Sequence, residues 1–262
     1  VGQATHAQPH HLAGRITERT AAAVYVVSHH AVQYGQIELT EFCAVCRAHG
    51  VPVIVDAASE YDLRGFLAKG ADIVAYSAHK FLGGPTAGIV AGRKPLIRAA
   101  FLQNYGIGRG MKVGKEGIAG TIAALDAWAK RDHAAVRARE RGYLELWRTR
   151  FAGVPGLKAS IVPDPTDNPL DRLKLEVVEA EAGTTACALA VALAAGEPPV
   201  IVRDHEVEHG YFYLDPCNLH PGEADLVANQ VVSTAAAIRG KPGPDLNTLR
   251  RWQVEALLNW PD

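Results

Sequence analysis

The chain has 262 residues, 48% of them hydrophobic and 21% charged, with a formal net charge of -1 at neutral pH. That length is enough for one large domain and a smaller one, and so even a charge balance gives no electrostatic reason to expect nucleic acid or an anionic membrane as a partner. No apolar run approaches the roughly 20 residues that span a bilayer, the opening VGQATHAQPHH lacks the basic-then-apolar order of a signal peptide, and four cysteines in a chain this long do not read as a disulfide framework, so the expected location is the cytoplasm.

In chain order, the text opens on a valine-glycine pair, as if a strand had just ended, and its only methionine is Met111. The expectation is a fragment, a processed chain, or a chain whose beginning is not represented. AAAVYVVS (21–28) is rich in valine and predicts a buried strand. IELTEFCAVCRAHG (37–50) predicts a helix, because Leu39, Phe42, Cys43 and Cys46 fall on one face and Gly50 is a natural stop. VPVIV (51–55) is again a buried strand and ends in Asp56; DLRGFLAK (62–69) is a short helix; ADIVAYS (71–77) and GIVAG (88–92) are two more strands. Short apolar strands alternating with helices imply a parallel or mixed sheet covered on both faces. Ligands bind such sheets at the carboxyl ends of the strands, where Asp56, Ser77, Lys80 and the pair His29-His30 lie.

Residues 116–153 form a long amphipathic helical stretch of the kind that connects two domains. Beyond Gly153 a stretch rich in proline and aspartate leads into RLKLEVVEA, a helix over 184–196, and the alternating PPVIVRDHEVEHGYFYLDPCNL. This is the texture of a smaller α+β domain with antiparallel strands. The expected division is therefore 1–125 for the C-terminal portion of a large domain, 126–153 for a connecting helix, and 154–262 for the small domain.

Lys80 stands between an apolar strand and the turn GGPTAG. A lysine amine is a poor nucleophile while protonated, but desolvation beside a core strand frees its lone pair. A freed amine forms Schiff bases with aldehydes, above all with pyridoxal 5'-phosphate. That cofactor needs a carboxylate beside its pyridine nitrogen and donors for its phosphate. Asp56 ends the preceding strand, and Ser77 precedes Lys80 by three positions. Taken singly, an aspartate after a strand is more often a cap and a loop lysine more often a solvated charge. Together with the glycine turn they read as a site. Cys43 and Cys46 form C-x-x-C, but the helical spacing puts both on the apolar face, so core packing is expected rather than metal or redox work. His6, His10 and His11 have no carboxylate or cysteine at ligand spacing and read as surface residues; no metal is expected.

VDAASE, GADIVAYSAHKFLGGPTAG and GIGRGMKVGKEGIAG, together with SHHAVQYG (28–35), resemble the pyridoxal-phosphate enzymes of fold type I, in the selenocysteine-synthase-like group and closest to its D-glucosaminate-6-phosphate ammonia-lyase branch. The resemblance runs from the start into the small domain and is dense from 24 to 125. It implies an aspartate-aminotransferase-like α/β large domain, of which the N-terminal part is missing here, with a mixed, mostly parallel sheet, plus a small α+β C-terminal domain. It implies that Lys80 carries the cofactor, that Asp56 partners the pyridinium, that Ala58 packs on the ring face, that Ser77 is a phosphate ligand, and that Thr86 reaches the phosphate in the partner subunit. The family's glycine-rich phosphate loop and its ring-stacking residue lie upstream of the matched region. The arginine-leucine-arginine pattern and the tRNA-binding region usual in the selenium-transferring enzymes are absent, so no nucleic-acid partner is expected.

His29 is then a candidate for contact with the cofactor's 3-hydroxyl and His30 for acid–base work, against the alternative of a polar loop. Arg109, Lys112 and Lys115 gather three positive charges in a glycine-rich stretch; they are a candidate clamp for a substrate carboxylate or phosphate, or else a solvated loop. Arg203 reads as a surface strand residue, with carboxylate binding as the alternative. The expected function is a pyridoxal-phosphate-dependent lyase. It would take water and ammonia from an amino acid or phosphorylated amino sugar acid to leave a 2-keto acid, working as a homodimer or larger even assembly. Other carbanion chemistry of the same cofactor (β-replacement, racemisation, aldol cleavage) and a non-catalytic module of the same fold remain the alternatives.

Overall fold

The computed structural model describes residues 1–2, 6–28, 35–241 and 243–258. The chain forms two compact units, one of residues 1–131 with 165–168, the other of 132–164 with 169–262.

The first unit begins with the short helix α1 (Pro9–Ala13) and runs through β1 (Ala23–Val26), α2 (Leu39–Ala48), β2 (Val53–Asp56), α3 (Gly65–Ala68), β3 (Ile73–Ser77), β4 (Gly88–Gly92), α4 (Lys94–Leu102) and α5 (Lys115–Lys130). The strands lie in chain order, β1, β2 and β3 parallel and β4 antiparallel to β3. The expected mixed, mostly parallel sheet is therefore present. The two parallel crossovers are made by α2 and α3, as βαβ chirality and loop length require. Beyond α2, Gly50 takes a φ of +69 with open space around its α-carbon, so the backbone turn alone selects glycine there.

One face of this sheet is packed. Val53, Val55, Val74 and Tyr76 are buried with Leu39, Phe42, Cys43 and Cys46 of α2, the four residues whose spacing predicted the helix face. The opposite face differs from expectation. Val24, Val26 and Val90 are 61%, 45% and 48% exposed, so among the described residues the sheet is covered on one side only. The strands alternate between a buried and an open face instead of being buried throughout, a distinction that runs of valine do not carry. Asp56, Ala75 and Ser77 belong to this open face, since Asp56 is in register with Ala75 and Ser77 lies two residues on.

The second unit contains α6 (His133–Phe151), β5 (Leu157–Pro163), β6 (Asp171–Val177), α7 (Glu179–Ala182), α8 (Ala186–Ala194), β7 (Tyr211–Leu214), α9 (Glu223–Ile238) and α10 (Leu246–Leu258). Its three strands are antiparallel in the order β5-β6-β7. Leu144, Trp147 and Phe151 of α6 are buried with Leu173, Leu175, Phe212, Leu189 and Val231, and the Trp147 indole N–H donates to the Ala224 carbonyl at 2.8 Å, as a buried indole requires. Arg172 is also buried, and bonds Asp164 at 2.6 Å and Asp215 at 3.0 Å. Residues 126–153 are not one helix. Asp132 stops the first and caps the second by accepting the Ala135 N–H at 2.9 Å, which makes 126–153 the end of α5 and the whole of α6. The strand β5 lies in the proline- and aspartate-rich stretch. It tolerates Pro163 because it is an edge strand and the proline is its last residue.

Candidate functional site

The carboxyl ends of β2 and β3 build the site. Pairing continues past both ends: the Ala57 N–H donates to the Ala75 carbonyl at 2.9 Å and the Ser77 N–H to the Ala58 carbonyl at 3.2 Å. The two following turns therefore leave the sheet side by side. In the first, the exposed Asp56 carboxylate accepts the Ala58 N–H at 3.1 Å, and Glu60 N–H closes on the Ala57 carbonyl at 3.1 Å. In the second, Gly83 N–H donates to the Lys80 carbonyl at 2.9 Å and Gly84 N–H to the Ala78 carbonyl at 2.7 Å. The backbone comes close to α5 here, since a Cβ on Gly84 would lie 3.0 Å from both the Ala124 Cβ and the Ala78 carbonyl oxygen.

Between the turns, the Lys80 Nζ is 2.7 Å from the Ser59 Oγ. Ser59 is buried. Aromatic contacts flank this bond. Phe81 meets the Tyr61 ring at 5.6 Å and Tyr61 meets Trp128 of α5 at 4.4 Å, while the Tyr61 N–H donates to Asn168 Oδ1 at 2.7 Å. Behind the site, burial and nearby Asp62 push the Tyr76 phenol up to about 12. It faces the core, so it stays protonated and neutral.

Ser77, His79, Thr86 and Lys112 line one open cleft together with Glu116 at the start of α5. Of the three cations singled out above, Lys112 is the one in this cleft. Arg109 sits in a short 3-10 turn, Arg109–Met111, and Lys115 opens α5; both are exposed. His29 and His30 lie outside the described residues. Arg203, in the second unit, is half-buried and pairs with Tyr213 through two backbone bonds of 3.0 Å. Cys43 and Cys46 are buried in the core, and burial raises both thiols. Among the described residues no group of three or more histidine, cysteine or acidic side chains could hold a metal, and no helix is long and apolar enough to cross a membrane.

Sequence reasoning missed Ser59 and His79. Ser59 was written in VDAASE, but its role depends on two turns meeting. His79 precedes Lys80, and the antiparallel return of β4 brings it to line the same cleft as Thr86.

A family model of L-seryl-tRNA selenium transferase matches residues 3–140. The chain belongs to this family. The family resemblance drawn from the motifs is thereby borne out. Within it, the chain is 41% identical over 234 residues to a 5'-C-glycyluridine monooxygenase-decarboxylase of a Streptomyces species, covering 87% of this chain and 57% of that protein. It is 37% identical over 227 residues to the D-glucosaminate-6-phosphate ammonia lyase of Salmonella typhimurium, covering 87% and 60%. A solved structure of a D-glucosaminate-6-phosphate ammonia-lyase superposes with a TM-score of 0.73 at 35% identity, over 90% of this chain and 63% of the other. A methionine gamma lyase from Micromonospora echinospora, at 17% identity and a TM-score of 0.57, shares the fold alone. The chain thus spans about 57–60% of the length of these two curated relatives.

Proposed function

We propose that this chain holds pyridoxal 5'-phosphate through Lys80 and belongs to a lyase. Its reaction would eliminate the β-hydroxyl of an amino acid or phosphorylated amino sugar acid as water, and hydrolysis, which takes one water back, would then release ammonia and leave a 2-keto acid. The observation that carries the reading is that Asp56 ends β2 and Lys80 lies on the turn that follows the adjacent parallel strand β3, with the amine bonded to a hydroxyl and, among the described residues, to no carboxylate. The donor set fits the cofactor. One amine suits its aldehyde, one exposed carboxylate its ring nitrogen, the small Ala58 its ring face, and the hydroxyl of Ser77 its phosphate, with Thr86 serving the phosphate of a partner subunit. The 37% identity to an ammonia lyase supports the reaction class.

When bound, the cofactor supplies an electron sink for the pair of electrons left at the substrate's Cα. The protein's own groups would do the rest. The Asp56 carboxylate would partner the ring nitrogen and favour its protonated form. Lys80, once free, would take the Cα proton on Nζ, with His30 as the other candidate base; His29 would touch the ring's 3-hydroxyl. Lys112, with Arg109 and Lys115, would bind the substrate's carboxylate or phosphate and orient the β-hydroxyl for departure as water. Hydrolysis of the resulting enamine then yields the 2-keto acid and ammonia.

A second reading has its own support in the 41% identity to a monooxygenase-decarboxylase: a reaction in which the substrate loses its carboxyl group and oxygen is consumed. A partner is proposed as well, a second copy of this chain in a homodimer or larger even assembly. Phe101, Tyr105, Ile107 and Met111 are 60%, 72%, 87% and 77% exposed, and exposed apolar side chains gathered in one segment support an interaction surface there.

The test is to load the protein with pyridoxal phosphate, reduce with borohydride and map the labelled peptide. Label on Lys80, with its loss in Lys80→Ala, is expected; label on Lys69 or Lys115 instead would remove Lys80 from the site. Release of 2-keto acid and ammonia from D-glucosaminate 6-phosphate supports the lyase, whereas carbon dioxide release with oxygen uptake from a glycyl nucleoside supports the second reading.

A further inference from the structure

We infer that Ser59 is the positioning residue for the Lys80 amine. Its hydroxyl holds Nζ whenever that nitrogen has no covalent partner, and so sets where the amine points and how available its lone pair is. The inference rests on the reading of Lys80 as the cofactor-bearing amine. A lysine on an exposed turn ordinarily swings freely on its four-carbon stem. Here the bond of 2.7 Å joins two fixed points. Ser59 is 9% exposed and lies on a turn pinned by Ala57 N–H to the Ala75 carbonyl and Glu60 N–H to the Ala57 carbonyl. Lys80 lies on a turn closed by Gly83 and Gly84. The two turns are tied by Ser77 N–H to the Ala58 carbonyl, and by Phe81, one residue past Lys80, against Tyr61, two residues past Ser59. A meeting of two mobile surface side chains would have none of these supports.

The chemistry follows from the hydroxyl's double character. Toward an ammonium, Oγ accepts an N–H. Toward a neutral amine, the O–H donates into the lone pair. In both states the bond competes with attack of Nζ on a carbonyl carbon, so its removal makes the amine quicker to react and less directed.

The test uses the whole chain without cofactor. Pyridoxal, which lacks the phosphate, is added with cyanoborohydride in mildly alkaline buffer, and mass mapping gives the labelling rate of Lys80 relative to Lys69, an exposed lysine of the same unit. Ser59→Ala is expected to raise this ratio about tenfold, as for the loss of one hydrogen bond to a charged group, while Ser59→Thr, which keeps the hydroxyl, stays within about twofold of the parent. Ser59→Cys, similar in size but a weak hydrogen-bonding partner, should follow alanine, and decides the matter if the alanine variant does not fold. A ratio unchanged in the alanine or cysteine variant, or raised as much by threonine, overturns the role of Ser59 and leaves Lys80 standing. Trapping of pyridoxal phosphate on a different lysine in the parent chain overturns both.

Discussion

At the scale of single residues, the proposed site would depend on charges held where strands end. The exposed Asp56 carboxylate spends one oxygen on the Ala58 N–H, which fixes its direction. Asp56→Asn keeps the shape and removes the charge. Under the proposed function, turnover of the loaded protein should fall by about a hundredfold or more, as when other positioned active-site charges or donors are removed, while cofactor retention changes little. Equal turnover at full cofactor occupancy would take Asp56 out of the mechanism. Lys80→Ala, by contrast, should lose covalent cofactor and turnover together, because both depend on the one amine. The four cysteines belong to a different account: Cys43, Cys46 and Cys187 are buried, and burial together with Asp215 pushes the Cys217 thiol up to about 12, so none is a poised nucleophile.

At the scale of elements, Asp72 fastens the amino-terminal end of β3 to its neighbours. Its carboxylate accepts the Val53 N–H of β2 at 2.9 Å and the Arg93 guanidinium beyond β4 at 2.9 Å. Burial pushes this carboxyl up, but the Val53 N–H, the bond and charge of Arg93, and Arg47 outweigh it and hold it below the usual carboxylate range. A depressed value in the folded state contributes stability above the unfolded value, and that contribution is lost as pH falls through the folded one. Asp72→Asn should therefore lower the melting temperature of the first unit at neutral pH by a few degrees, corresponding to about 1 kcal/mol because Arg93 is exposed and screened. The gap between variant and parent should begin to close below about pH 4, where the unfolded aspartate is protonated, and be gone once the pH has passed the folded value. A gap that persists undiminished in acid would mean that the amide disturbs packing and that the carboxylate charge is not what stabilises.

For the whole molecule, the question is whether one chain completes a site. Thr86 is exposed on the cleft it shares with Ser77, His79 and Lys112, and the exposed apolar side chains of 101–111 follow soon after in the chain. Under the proposed assembly a two-fold contact would be reciprocal, each Thr86 serving its neighbour. Mixing inactive Lys80→Ala with a Thr86→Ala variant of low activity should then restore activity, because each mixed dimer carries both lesions in one site and leaves the other intact. Activity no higher than the weighted average of the two preparations, or a stable active monomer in solution scattering, would defeat the shared site.

Much of this was legible without coordinates. The apolar spacing of Leu39, Phe42, Cys43 and Cys46 located α2 and the face it buries, the glycines and short valine runs located β1 to β4, and the order of Asp56, Ser77, Lys80 and GGPTAG marked the carboxyl ends where ligands bind. These signals are local: a helix face and a strand end are written in consecutive residues. Three things were decided only by tertiary structure. The sheet's second face is open among the described residues, because burial on a given side depends on what else packs there, whatever the strand's own valines suggest. The helical stretch breaks at Asp132, because a capping side chain competes with helix continuation only where the chain has somewhere else to pack. Ser59 meets Lys80 across 21 positions of chain, because parallel strands bring together turns that no sequence window contains.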